Sequence, residues 1–322
     1  MNDFIPVNEP VLDGNESKYL SECIATGWIS SEGAFIERFE RGVAELTQRK
    51  HAIAVSNGTA AIDLAVEALG ISAGDEVIVP SFTIISCLHQ IVRLGAVPIL
   101  IDSDLSTWNM DVTKIEERIT PRTKAIMAVH IYGLPVDMNP LLDIAKRHSL
   151  CVIEDAAEMI GQTYFNKPCG SFGDISTLSF YPNKHITTGE GGMVLTNDDD
   201  LAHRLRSLRN LCFESERRFV HEHLGWNYRM TNLQAAVGLA QLERLPEFVV
   251  KKRHVGQFYT NLLSSLKALN LPPARTEYSS NIYWVYGILI DESHEMDAQT
   301  AMSLLRSSGI GTRPFFYPMH QQ

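Results

Sequence analysis

Between His51 and about Gly161 the chain repeats one pattern: a short β-branched run, then a stretch whose apolar residues fall at helical spacing. AIAVS precedes AAIDLAVEALG, EVIVP precedes IISCLHQIVRLG, and VPILID precedes VTKIEERI, before AIMAVHIYG, NPLLDIAKRHS and CVIEDAA continue the rhythm. A strand that reads as a continuous apolar run is buried on both faces, and helices in the connections supply the cover. The pattern predicts an α/β chain of βαβ units around a mostly parallel sheet. Ligands of such sheets bind outside the carboxyl ends of the strands, so those loops are where chemistry is to be sought.

After Gly161 the character changes. DISTLSF and GGMVLTN read as closely spaced strands, followed by a helix around Leu201 to Arg209. TNLQAAVGLAQLERL keeps apolar residues at i, i+3 and i+4, which predicts a long helix from Thr231 towards Leu266, kinked at Pro246. Beyond Pro273 a strand (IYWVYGILI), a helix (AQTAMSLLRSSG) and a further strand-like piece (TRPFFYP) read as a smaller α+β domain. A chain of 322 residues exceeds what one core usually serves, so the expected division is a large domain over 1–245 and a small one over 246–322.

Composition narrows the partners. A net charge of -10, with both signs mixed along the length, provides no basic stripe for a nucleic-acid backbone. The five cysteines form no CxxC pair, which indicates neither a disulfide framework nor a metal site. MNDFIPVNEPVLDGNE has neither the basic nor the apolar region of a leader, and no run approaches the roughly 20 apolar residues that span a bilayer. A reducing, cytoplasmic setting is expected.

Three segments could carry chemistry. Ser56, Asn57, Gly58 and Thr59 lie between a strand and a helix, where free N–H groups and the helix dipole favour an anion, although the same residues also serve simply as caps. Glu154 and Asp155 end an apolar strand; an acid there can pair with a heterocyclic cation, or be a cap or a solvated side chain. Lys184 stands among turn formers before Thr187, Thr188 and Gly189, either as a surface lysine in a Gly-rich hairpin or as a desolvated amine used as a nucleophile. Together the three match what a pyridoxal-phosphate (PLP) enzyme needs: an anion cup, a carboxylate for the pyridinium nitrogen and a lysine for the aldehyde.

Along essentially its whole length the chain resembles the DegT-type nucleotide-sugar aminotransferases, through LDGNE, GWISSEG, SNGTAA, GDEVIVPSFT, PRTKAIMAVHIYG, VIEDAAE, GDISTLSFYPNKHITTGEGGM, WNYRMTNLQAA and RPFFYPMH. That resemblance implies the aspartate aminotransferase (fold type I) architecture, bound PLP, and a homodimer with shared active sites. By position it implies that Lys184 forms the Schiff base, that Asp155 pairs with the ring nitrogen, and that Gly58, Thr59 and Ser179 hold the phosphate. Asn227 would reach the phosphate from the neighbouring subunit, Glu158 would stand beside the phenolic oxygen, and Trp28, Ser30, Phe316, Tyr317 and His320 would border the sugar nucleotide.

Three positions depart from the family pattern. Ile84 replaces the ring-stacking aromatic; His185 follows the lysine, as a bystander or a substrate-side proton carrier; and relatives continue some tens of residues past the position of Gln322, which implies a small domain cut short. The implied reaction moves an amino group from L-glutamate to the C4 keto group of a nucleotide-linked 4-keto-6-deoxyhexose. LDGNE, VHIYG, YRMTN and RPFFYP favour GDP-4-keto-6-deoxymannose over UDP- or dTDP-linked sugars. Two other readings are a PLP sugar dehydratase, in which a histidine replaces the lysine, and an inactive sugar-nucleotide-binding dimer.

Overall fold

A computed structural model describes residues 4–213, 217, 219–221 and 223–322. Seven strands form one sheet: β1 (His51–Val55), β2 (Glu76–Pro80), β3 (Val97–Ile101), β4 (Thr123–Val129), β5 (Cys151–Asp155), β6 (Ile175–Ser179) and β7 (Gly192–Thr196). Their spatial order is β1-β7-β6-β5-β4-β2-β3. Neighbours from β6 through β3 pair in parallel, whereas β7 runs antiparallel to both β1 and β6. The mostly parallel sheet is as the sequence predicts, and the exception has a chain-level cause. Residues 180–191 between β6 and β7 hold no crossover helix, so the strand can only return as the far arm of a wide hairpin.

Helices cover both faces. Those before and within the alternating region are α1 (Glu16–Thr26), α2 (Ala34–Thr47), α3 (Gly58–Ala68), α4 (Ser86–Arg93) and α5 (Met138–His148), followed by α6 (Asp199–Arg209). On one face α3, rich in alanine and buried nearly all round, packs with Ile53, Val77, Met127 and Ile153. On the other, Phe39 of α2 and Phe180 after β6 lie in a cluster that also takes in Ile160, Leu239, Phe248 and Ile282. Among the described residues no helix is long and apolar enough to cross a membrane.

Four sequence expectations change. The long kinked helix is two, α7 (Asn232–Leu242) and α8 (Leu245–Leu263), because Pro246 sits in the first turn of α8, where its missing N–H costs nothing. Thr231 and Gln234 close a capping box at the start of α7. VTKIEERI forms two short 3₁₀ turns, Val112–Lys114 and Glu116–Arg118, ahead of Thr120-Pro121, where helical backbone is disfavoured. IYWVYGILI pairs only at Leu289–Ile290, against Leu269–Asn270. Its earlier part turns at Asn281, whose side chain accepts from Tyr283 N at 2.6 Å, and drives Ile282 and Trp284 into the sheet's two apolar clusters. TRPFFYP is not a strand, since Pro314 and Pro318 cannot donate to a ladder. That segment instead lays Phe315 and Phe316 against Phe82 and Tyr132. The expected helix near the end is present as α9 (Ala298–Ser307).

Candidate active site

At the carboxyl edge of the sheet a cavity of about 650 Å³ opens, and Gly58, Thr59, Ile84, Asp155, Glu158, Ser179 and Lys184 all line it. These residues lie up to 126 positions apart in sequence; the parallel strands bring them together because all their carboxyl ends face the same way.

The cup forms at the start of α3. Asn57 is its N-cap, accepting from Ala60 N at 2.8 Å, and the Asn57 carbonyl accepts from Ala61 N at 3.2 Å. With those two amides taken, the N–H groups of Gly58 and Thr59 remain, at the positive end of the helix. Thr59 Oγ1 meets Ser86 Oγ at 2.9 Å, adding a second hydroxyl from α4. Close approach of the backbone is obligatory here: a Cβ on Gly58 would lie 2.8 Å from Ser179 Cβ. One on Gly192 would run into the Asn57 carbonyl and come within 3.0 Å of Gly58 N. Gly192→Ala is therefore expected to cost about 1–3 kcal/mol of stability and to weaken anion binding at the cup, read from urea midpoints with and without inorganic phosphate.

The two acids that end β5 separate, because consecutive strand residues face opposite ways. Glu154 is fully buried and structural, accepting from Gly170 N (2.7 Å), Phe172 N (2.8 Å) and Ser176 Oγ (2.8 Å) and meeting His130 Nε2 at 3.0 Å. Glu154, His130 and Cys169 cluster closely enough to suggest a metal, yet this carboxylate is already spent on hydrogen bonds, and His130 Nδ1 accepts from Val136 N at 3.0 Å. Asp155 faces the cavity. Its carboxylate accepts from Ala157 N (3.0 Å), Thr177 Oγ1 (3.1 Å) and the Cys87 thiol (3.3 Å), which fix its orientation in a buried setting.

Lys184 tops the wide hairpin and points inward. Phe180 and Ile186 anchor the loop in the core, Thr187 Oγ1 donates to Phe180 O at 2.8 Å, and Trp284 Nε1 donates to Asn183 O at 2.8 Å. Its Nζ lies 4.0 Å from the centre of the Trp284 ring. Burial pushes the amine below the usual lysine range, against the pull of the Glu158 and Asp155 charges. Burial likewise raises the Glu158 carboxyl, against the pull of Lys184, and Glu158 accepts from Tyr132 N at 2.7 Å. Burial thus pushes both groups towards their uncharged forms, the direction that favours the neutral amine a nucleophile requires.

Not every residue expected at the site lies there. Phe316 lines the cavity, with its N–H 3.3 Å from Tyr132 OH. His185 does not: it is buried behind the loop with Nε2 3.2 Å from Ile282 O, which corrects its assignment to the substrate side. The reason is the alternation of a turn that sends one side chain in and the next away. Burial lowers the pKa of His185 to about 4, so between about pH 4 and 6.5 the unfolded chain takes up a proton there that the folded chain does not. Stability should therefore rise with pH across that window and level off above it. His185→Gln, which can still donate to Ile282 O, is expected to flatten the rise by up to about 3 kcal/mol, measured by urea unfolding at several pH values.

Trp28, Ser30, Asn227 and Tyr317 are exposed and outside this chain's own cavity, and His320 bonds instead to Ser81 Oγ through Nδ1 at 2.7 Å. Sequence reasoning missed Trp284, Asn183, Tyr181, Tyr228 and the Asp63–His89 pair, all of which line the cavity. Trp284 was hidden inside an apparent strand. His89 and Ser86 were legible only as the polar face of an otherwise apolar helix.

The residues present fit PLP. The cup has free amides with no room for a Cβ, Asp155 is an oriented carboxylate, Lys184 is a desolvated amine, and the buried Asn183 Oδ1 beside it finds no partner among the described residues. Residues 10–322 match the model of the DegT/DnrJ/EryC1/StrS aminotransferase family. The chain is 48% identical over 316 residues to the GDP-perosamine synthase of Caulobacter vibrioides, covering 98% of this chain and 85% of the relative. It is 46% identical over 317 residues to that of Escherichia coli O157:H7, covering 98% and 86%. Among solved structures it is similar to the aminotransferase TlmJ from Streptoalloteichus hindustanus, with a TM-score of 0.92 and 30% identity over 98% of this chain and 86% of that one.

Proposed function

Since this chain belongs to the DegT/DnrJ/EryC1/StrS aminotransferase family, we propose that it transfers the amino group of L-glutamate to the C4 keto group of GDP-4-keto-6-deoxymannose, giving GDP-perosamine. It is a PLP-dependent aminotransferase. The observation that carries the reading is the meeting of Lys184, Asp155 and the Gly58–Thr59 cup on one cavity, in a chain nearly half identical to GDP-perosamine synthases. The dehydratase reading is disfavoured by the lysine itself.

PLP, when bound, supplies an electron sink for the carbon that carries the amino group. This chain's residues do the rest. The amides of Gly58 and Thr59, with the hydroxyls of Thr59 and Ser179, bind the phosphate. Asp155 holds a proton on the ring nitrogen, which keeps the ring electron-poor. Lys184, freed as a neutral amine, takes the proton from the carbon bearing the amino group and returns it one atom away, acting as base and then acid. Glu158 lies next to that amine and completes the proton inventory of the site. A second half-reaction in the reverse sense delivers the amino group to the sugar, so ping-pong kinetics are expected.

The same reading makes a homodimer the working unit. The exposed Trp28, Ser30, Asn227 and Tyr317 would then complete the partner's cavity, and His320 would border the sugar nucleotide. It divides the chain near residue 245 and places it in the cytoplasm, a setting that suits five free cysteines. Borohydride reduction should leave the pyridoxyl group on Lys184, mapped by mass spectrometry. With glutamate and a panel of GDP-, UDP- and dTDP-linked 4-ketosugars, turnover should favour the GDP compound; equal turnover of all three would refute the assignment.

A further inference from the structure

Trp284 lies 100 residues beyond Lys184 in sequence and nothing in the cavity's chemistry requires it, yet it is among the most constrained side chains there. The indole is buried at 6% exposure, its Nε1 donates to Asn183 O at 2.8 Å, and its carbonyl accepts from Lys252 Nζ at 3.2 Å. Phe316 stacks with it at 23° and Tyr132 packs tilted at 5.8 Å. This framework presents a fixed aromatic face to Lys184 Nζ at 4.0 Å, well inside the distance at which an ammonium is held by a ring quadrupole.

An amine in this cavity faces two conflicting demands. It must be neutral to attack, yet once it has accepted a proton it must neither leave the cavity nor lock into an ion pair with Glu158 or Asp155. A tight ion pair would be directional and hard to break in a buried place. A ring face stabilises the ammonium without offering it an acceptor. We propose that Trp284 is a positioning residue for the reaction, its indole being the seat of the Lys184 amine when that amine is protonated and not bonded to the cofactor.

This rests on the aminotransferase reading above, but it is a statement about the free lysine and can be tested without cofactor. The titratable groups around Lys184 are Asp155 at the end of β5, Glu158 just after it, Cys87 of α4 and, behind its own loop, His185, while Lys252 of α8 stands beyond Trp284, bonded to its backbone carbonyl. All are retained in the test. Trp284→Phe and Trp284→Leu both shorten the side chain and keep it apolar, but only the first keeps a π face. Cofactor-free wild type and both variants would be pulse-labelled with acetic anhydride across a pH series, and the midpoint for Lys184 modification read by mass spectrometry against the exposed Lys50 and Lys124.

The Leu variant is expected to have its midpoint roughly 0.5–1 pH unit below that of the Phe variant, because the charged amine has lost its seat. A Leu midpoint equal to or above the Phe midpoint overturns the proposal. Borohydride trapping on the same proteins separates the two claims: no pyridoxyl group on wild-type Lys184 would refute the aminotransferase reading while leaving the midpoint comparison intact.

Discussion

Lys184→Ala is expected to reduce amino transfer from glutamate by at least about 10³-fold and to leave no borohydride-trappable cofactor at position 184. The size of the effect follows from the double duty of one side chain. The amine is the covalent anchor and also the proton carrier, and among the described residues no second lysine lines the cavity to replace it. The loss should be chemical rather than structural. The loop is held by Phe180, Ile186, Thr187 and the Trp284–Asn183 hydrogen bond, none of which involves the lysine side chain. A thermal midpoint close to wild type together with abolished turnover is the expected pair of results; near-normal turnover would contradict the role.

Asp155→Asn is expected to reduce turnover by about 10²- to 10⁴-fold, with a smaller change in the KM for glutamate. Asparagine fills the same space and its amide oxygen can keep the bonds from Ala157 N and Thr177 Oγ1, so the geometry should survive. What is lost is the negative charge that keeps a proton on the ring nitrogen. The Cys87 thiol, which now donates to Asp155, would face an amide donor and have to turn away. Glu154→Gln makes the contrast. That acid bonds to His130, Gly170, Phe172 and Ser176 within the fold, so its replacement should lower stability and not the chemistry of well-folded protein. Turnover and urea midpoints of the two variants should separate the adjacent acids, and a Glu154 variant that is stable but inactive would reverse the assignment.

Much of the site was legible because its residues sit where the alternating pattern changes. Gly58 and Thr59 begin a helix directly after an apolar strand, Asp155 ends another, Ser179 ends a third and Lys184 follows it. Strand ends can be read from period and composition, and in a parallel sheet all those ends converge on one edge. Residues beyond that logic were misread. IYWVYGILI has the apolar, aromatic content of a strand, but Asn281 captures the amide of Tyr283, Trp284 lines the cavity, and only Leu289–Ile290 joins a ladder. His185 adjoins the key lysine in sequence, yet the turn sends it into the core.

Local sequence determined the α/β class, the position of each carboxyl-edge loop and the residue types available there, because hydrophobic period and turn chemistry act over a few residues. Only the tertiary structure decided which of two adjacent acids faces the cavity, that a hairpin lysine points inward, and that Trp284 meets it 100 positions away. Those outcomes depend on the direction of side chains and on burial by distant segments. Burial moreover pushes Lys184 and Glu158 towards their uncharged forms, a property that neither residue carries in its own neighbourhood of the chain.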